Sequence, residues 1–144
     1  SHKRGWDDRW EEFSAWADKG QEYKNELIRL VDEDTNSFNK IMEAFRLPNG
    51  SNEEKKQRQQ AIIEATKYAI EIPLKVMETA YRSMEVNKAM VEIGNPNSVT
   101  DAGVGALCAR TAVMGAFMNV KINCKDLDDT KYVEDMLKKS DILS

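Results

Sequence analysis

The chain is short of the residues that carry most covalent catalysis. Histidine occurs once in 144 residues, as His2 at the very start. That excludes a Ser-His-Asp triad in an ordered interior and leaves a Cys-His pair without its base. Cysteine occurs twice, as Cys108 and Cys124. Two are too few for a disulfide framework, and free thiols in a reducing cytosol are the plain reading. With one terminal histidine they make no zinc site, so no metal is expected. No Gly-rich phosphate loop and no dinucleotide fingerprint is present. No run of about 18 apolar residues was found, which predicts no membrane span. No signal peptide is visible, which gives a cytoplasmic expectation. Basic residues number 21 and acidic ones 25, for a net charge of −4. A nucleic-acid binder wants a basic face, so none is expected as a partner.

Proline and glycine are also scarce, at 3 and 7. Long stretches carry neither, and no alternating strand pattern is found, so the expectation is helix. One apolar line runs Trp6, Trp10, Phe13, Trp16, and the pattern resumes at Tyr23 and Leu27 after a possible break at Asp18-Lys19-Gly20. The first helical region therefore spans about Trp6 to Phe45. Pro48-Asn49-Gly50 marks a loop, and Ser51-Asn52-Glu53-Glu54 supplies an N-cap and first-turn acids. A second long helix is predicted from about Asn52 to Ile93, with Ile62, Ala65, Ala69, Ile72, Val76, Ala80 and Met84 as its stripe. Pro73 lies inside it and should kink or split it. Ser98-Val-Thr-Asp101 reads as a capping box that opens a third helix, about Val99 to Ile122. A last helix is expected from Asp126 or Thr130 to Lys138. The fold class is all-α: one domain over residues 1–144, a bundle of long antiparallel helices kinked at Pro73.

Two places carry polar groups among apolar ones. Leu27, Leu30, Val31, Phe38, Ile41, Met42 and Phe45 form one stripe at helical spacing, and Asp34 falls on it. A carboxylate in a dry setting has its charged form disfavoured, which suits a proton shuttle near neutral pH. The alternative is a carboxylate at the stripe's edge, bonded to the backbone or to an arginine. On the third helix, Asp101, Gly105, Cys108, Ala112, Gly115, Asn119 and Ile122 or Asn123 share a face with small residues in the middle. Leu107, Met114, Phe117, Met118 and Val120 read as core. That face can serve tight helix packing, with Asp101 as a cap, or the approach of a flat ligand.

The segments "LVDEDTNSFNKIMEAFRLP", "EEKKQRQQAIIEATKYAIEIPLKVMETA" and "GNPNSVTDAGVGALCARTAVMGAFMNVKIN" resemble the cyclodeaminase domain of formiminotransferase-cyclodeaminase, a family that includes folate cyclohydrolases. The resemblance runs from about Gln21 to the end. It implies a helical, dimeric or higher homo-oligomeric folate enzyme, with a fused or associated formiminotransferase domain. The implied reaction closes 5-formiminotetrahydrofolate to 5,10-methenyltetrahydrofolate and releases ammonia. A tetrahydrofolate derivative is the substrate, and no cofactor is tightly bound. By motif, Asp34 is the catalytic aspartate, with Asp32 the alternative or else a solvated partner of Arg29. Asp101, Asn119 and Asn123 match positions that could bind the pterin. Lys3, Arg4, Arg46 and Lys121 are candidates to meet a folate polyglutamate tail. The chain starts "SHKRGW" without a methionine, so it reads as a fragment of a longer gene product or a processed chain. The family's Gly-rich "PGGGS" helix does not precede it, so the resemblance implies most of a cyclodeaminase domain, with an inactive fragment as one expectation. Two other activities fit the same residues: methenyltetrahydrofolate cyclohydrolase, and a non-catalytic helical dimerisation module.

Overall fold

A computed structural model describes residues 7–144. His2, Lys3, Arg4 and Trp6 lie outside the described residues. Four helices follow one another: α1 (Trp10–Arg46), α2 (Asn52–Ile93), α3 (Val99–Cys124) and α4 (Thr130–Leu143). Among the described residues there is no strand. The all-α expectation holds.

The local chemistry explains the boundaries. Ser51 and Glu54 form a reciprocal capping box, with Glu54 N–H donating to Ser51 Oγ at 3.1 Å and Ser51 N–H donating to Glu54 Oε2 at 2.8 Å. α3 starts differently from expectation. A 3-10 turn, Pro96–Ser98, precedes it and is capped by Asn95, whose Oδ1 accepts from Asn97 N–H at 3.0 Å. The Ser98 side chain makes no capping bond, so the Ser98–Asp101 box does not form. Asp129 caps α4 instead, accepting from Tyr132 N–H. Gly20 does not break α1, whose packed neighbours hold it helical across that position.

α2 is the spine. It packs against α1 on one flank and α3 on the other, and α4 closes over α2 and α3. The core gathers Ile70, Leu74, Met77, Ala80, Val113, Ala116, Val120, Cys124, Leu127 and Met136. Pro73 is itself buried and does not split α2, which runs through it as one helix. Its ring removes the N–H that would bond the Ala69 carbonyl four residues back. The side chain of Asn123, on α3, donates to that carbonyl at 2.8 Å.

Two faces differ in part from expectation: Val120 on α3 is buried as expected and Phe117 packs against the core, but other expected core residues lie outside. On α3, Leu107 and Met118 are each 64% exposed and Met114 is exposed too. The packed positions are Ala102, Ala109, Val113, Ala116 and Val120. Small alanines let α3 approach α2 closely, and the bulky residues are left outside. On α1, Leu30 is fully buried, but Val31 and Phe38 are 66% and 62% exposed. The single stripe expected there is two adjacent ones, and only the one through Leu30, Ser37 and Ala44 is inward. The stretch Pro96–Cys124 is long and apolar enough to cross a bilayer by length and composition.

Candidate functional site

Asp34 falls on the outward face of α1, between Val31 and Phe38, and is exposed. The chain's own side chains do not supply the dry setting the stripe suggested. Its neighbour Glu33 turns inward and accepts a short hydrogen bond from Tyr68 Oη on α2. Arg29 grips Glu33 at 3.0 Å and Glu26 at 2.8 Å. Arg29 therefore pairs with these two glutamates and not with Asp32, which is exposed. Lys40 stacks over the Tyr68 ring at 3.9 Å. The hydrogen bond to Glu33, with burial second, pushes the Tyr68 hydroxyl above its ordinary pKa. This Glu33–Tyr68–Lys40 group was not singled out from sequence. The available signal was the Arg29-to-Glu33 spacing of one helical turn.

Asn119 and Asn123 come together. Asn123 Nδ2 donates to Asn119 Oδ1 at 3.3 Å as well as to the Ala69 carbonyl. Both amide hydrogens of Asn123 are thus committed. Among the described residues, Asn119 Nδ2 and Asn123 Oδ1 have no bonded partner and remain available to a ligand. The pair sits at the level of Ala69 on α2, and Glu33 meets α2 at Tyr68. Asp34 and the asparagine pair therefore share one level along α2, on its opposite flanks.

Asp101 does not join them. It is exposed in the first turn of α3. Gly105, one turn later, lies against Asn87, near the far end of α2. Asp101 and Asn119 are separated by 18 residues of one helix, about 27 Å. No single pterin ring reaches both within one chain. Among the basic candidates, Lys121 stacks over Phe117 at 4.8 Å, and Arg46 is exposed. The cysteines are free, Cys108 exposed and Cys124 buried. Burial pushes the Cys124 thiol above its usual pKa. No group of metal-ligating side chains occurs among the described residues.

The sequence profile of the formiminotransferase-cyclodeaminase family matches residues 1–141. The chain belongs to that family. It is similar to the methenyltetrahydrofolate cyclohydrolase of Methylorubrum extorquens, 33% identical over 121 residues, covering 84% of this chain and 58% of that protein. It is also similar to the formimidoyltransferase-cyclodeaminase of Mus musculus, 35% identical over 109 residues, covering 76% of this chain and 20% of that protein. The Dictyostelium discoideum protein of the same name is 36% identical over 107 residues, covering 74% and 19%. The chain spans less than two thirds of the length of each of these relatives.

Proposed function

We propose that the chain acts in folate one-carbon chemistry as a formiminotetrahydrofolate cyclodeaminase domain. The observation that carries this reading is the family match over residues 1–141, with relatives named for both formimidoyl transfer with cyclodeamination and methenyl hydrolysis. The substrate's formimino group enters as its cation. The arm nitrogen attacks the formimino carbon, forming a carbon–nitrogen bond, and gives its proton to the Asp34 carboxylate. Asp34 returns that proton to the amino group, whose bond to carbon breaks as ammonia leaves. The positive charge stays on the methenyl bridge, and the carboxylate is regenerated. One group serves both steps, which suits a chain whose single histidine is His2. Asn119 Nδ2 and Asn123 Oδ1 offer one donor and one acceptor to a pterin edge. Asp101, about 27 Å away along α3, does not share that pterin within one chain.

The second reading is methenyltetrahydrofolate cyclohydrolase, in which water replaces the departing amine. It is favoured by the likeness to the Methylorubrum protein. A formiminotransferase domain on the same polypeptide would fit the longer relatives.

The test is to give the chain 5-formiminotetrahydrofolate and, separately, 5,10-methenyltetrahydrofolate. Ammonia release that Asp34→Asn abolishes supports the cyclodeaminase. Hydrolysis of the methenyl compound without ammonia release from the first substrate selects the cyclohydrolase. Neither activity in a folded chain would leave a helical assembly module.

A further inference from the structure

Tyr68 on α2 meets α1 at two places. Its hydroxyl donates to Glu33, and its ring lies under the Lys40 ammonium at 3.9 Å. Glu33 and Lys40 are about two whole turns apart, so they share one face of α1. Asp34 and the buried Ser37 lie between them in the chain. Glu33 is held in one orientation, because both of its carboxylate oxygens are engaged. Arg29 takes Oε1 at 3.0 Å, and Tyr68 takes Oε2.

The rest of the seam gives α1 little to grip here. Its buried inward residues are Leu30, Ser37 and Ala44. Of these only Leu30 is large, and helices resist rotation through side chains that interdigitate. Among the described residues, the next hydrogen bonds between α1 and α2 are remote. They join Tyr23 to Glu85 at one end and Arg58 to the Phe45 carbonyl at the other. Tyr23 and Phe45 each lie 11 residues from Asp34.

The Asp34 carboxylate has no bonded partner among the described residues, so the α1 backbone alone decides where it stands. That backbone is tied to the inward face, since Ser37 Oγ donates to the Asp34 carbonyl at 2.7 Å. The carboxylate lies roughly 5 Å from the helix axis, so a rotation of ~12° moves it about 1 Å. A misplacement of that size can lower a rate by about 100-fold.

We propose that Tyr68 is a positioning residue: by holding Glu33 it fixes the rotation of α1, and with it the place of the Asp34 carboxylate beside the reacting formimino group. The inference rests on the reading of Asp34 as the proton carrier. It assigns Tyr68 no contact with substrate and no proton transfer of its own.

The test measures kcat and KM on whichever of the two folates the wild type turns over. Tyr68→Phe keeps the ring under Lys40 and removes only the hydroxyl. Glu33→Ala breaks the same bond from the α1 side. Each should lower kcat about tenfold or more and leave KM within about twofold, because the carboxylate acts on the reacting atoms. Glu33→Gln still offers Tyr68 an acceptor oxygen and should stay within about threefold of the wild-type kcat. Amide exchange supplies a readout that needs no turnover. Protection over residues 30–40 should fall in Tyr68→Phe and Glu33→Ala and stay unchanged in Asp34→Asn.

Wild-type kcat in a folded Tyr68→Phe overturns the inference, and so does a Glu33→Gln as slow as Glu33→Ala. Unchanged protection over residues 30–40 in both bond-breaking variants overturns it as well. If Asp34→Asn is inactive while Tyr68→Phe is not, the positioning role fails and the Asp34 reading stands. If Asp34→Asn keeps wild-type turnover, or the folded wild type has none, the Asp34 reading fails and takes the positioning role with it.

Discussion

Asn123 on α3 donates to the one carbonyl in α2 that Pro73 leaves without its ordinary donor, Ala69, at 2.8 Å. A buried acceptor left unpaired costs about 1–3 kcal/mol, so proline and asparagine work as a unit across two helices. The same amide bonds Asn119, so the unit reaches the candidate ligand groups.

Coupling follows from this. Asn123→Ala should destabilise the wild type by about 1–2 kcal/mol. In a Pro73→Ala background the backbone N–H is restored, and the same substitution should cost less than half as much. Urea unfolding of the four variants gives the coupling energy directly. Equal costs in both backgrounds would mean that the Ala69 carbonyl is satisfied in some other way.

Asp34→Asn should abolish turnover while changing stability by less than about 0.5 kcal/mol, because the side chain is exposed. Ammonia release and thermal unfolding, measured on one preparation, check both halves. Wild-type turnover in this variant would remove Asp34 from the mechanism.

Ser51→Ala should cost about 1 kcal/mol and fray the first turn of α2, since it removes the oxygen that accepts from Glu54 N–H. Urea unfolding reads the cost and amide exchange at Glu54 reads the fraying. Glu54→Ala should give a smaller loss, because the Ser51 hydroxyl still caps the helix. A loss from Glu54→Ala equal to that from Ser51→Ala would make the two halves of the box one unit.

α4 should loosen in acid. The hydrogen bond from Lys67, followed by that from Tyr132 N–H, holds the Asp129 carboxyl below its ordinary value of 3.8. A depressed carboxylate contributes stability above its unfolded-state pKa, and that contribution is lost as pH falls through the lower folded value. The expected window therefore lies below about pH 4. The near-ultraviolet signal of Tyr132, which packs beside Asp129 and under Lys67, should change there. The change should be smaller in Asp129→Asn, which retains a capping oxygen without the charge.

The helices were legible from sequence because their punctuation is local. Ser51, Pro48 and the Asn95–Pro96 turn act within a few residues, and α2 begins and ends where they indicate. The inward faces were harder. α3 is apolar nearly all round, so periodicity could not say whether Leu107 and Met118 or Ala109 and Ala116 face α2. α1 carries two adjacent apolar stripes, and Asp34 belongs to the outer one. The pairing of Asn123 with Ala69 could not be read at all, because it depends on where α3 lands along α2. Asp101's separation from Asn119 was available from helix geometry alone. Reading both residues as grips on one pterin hid it.

α2 touches every other helix, and α1 and α3 meet chiefly through it. The molecule is therefore two hairpins that share one arm. Neighbours in sequence are neighbours in space, so the loops that must close during folding are short. The α1 arm can also open while the α3–α4 side stays packed. Amide exchange would then report two protection classes along one 42-residue helix, with the flank that faces α1 exchanging first.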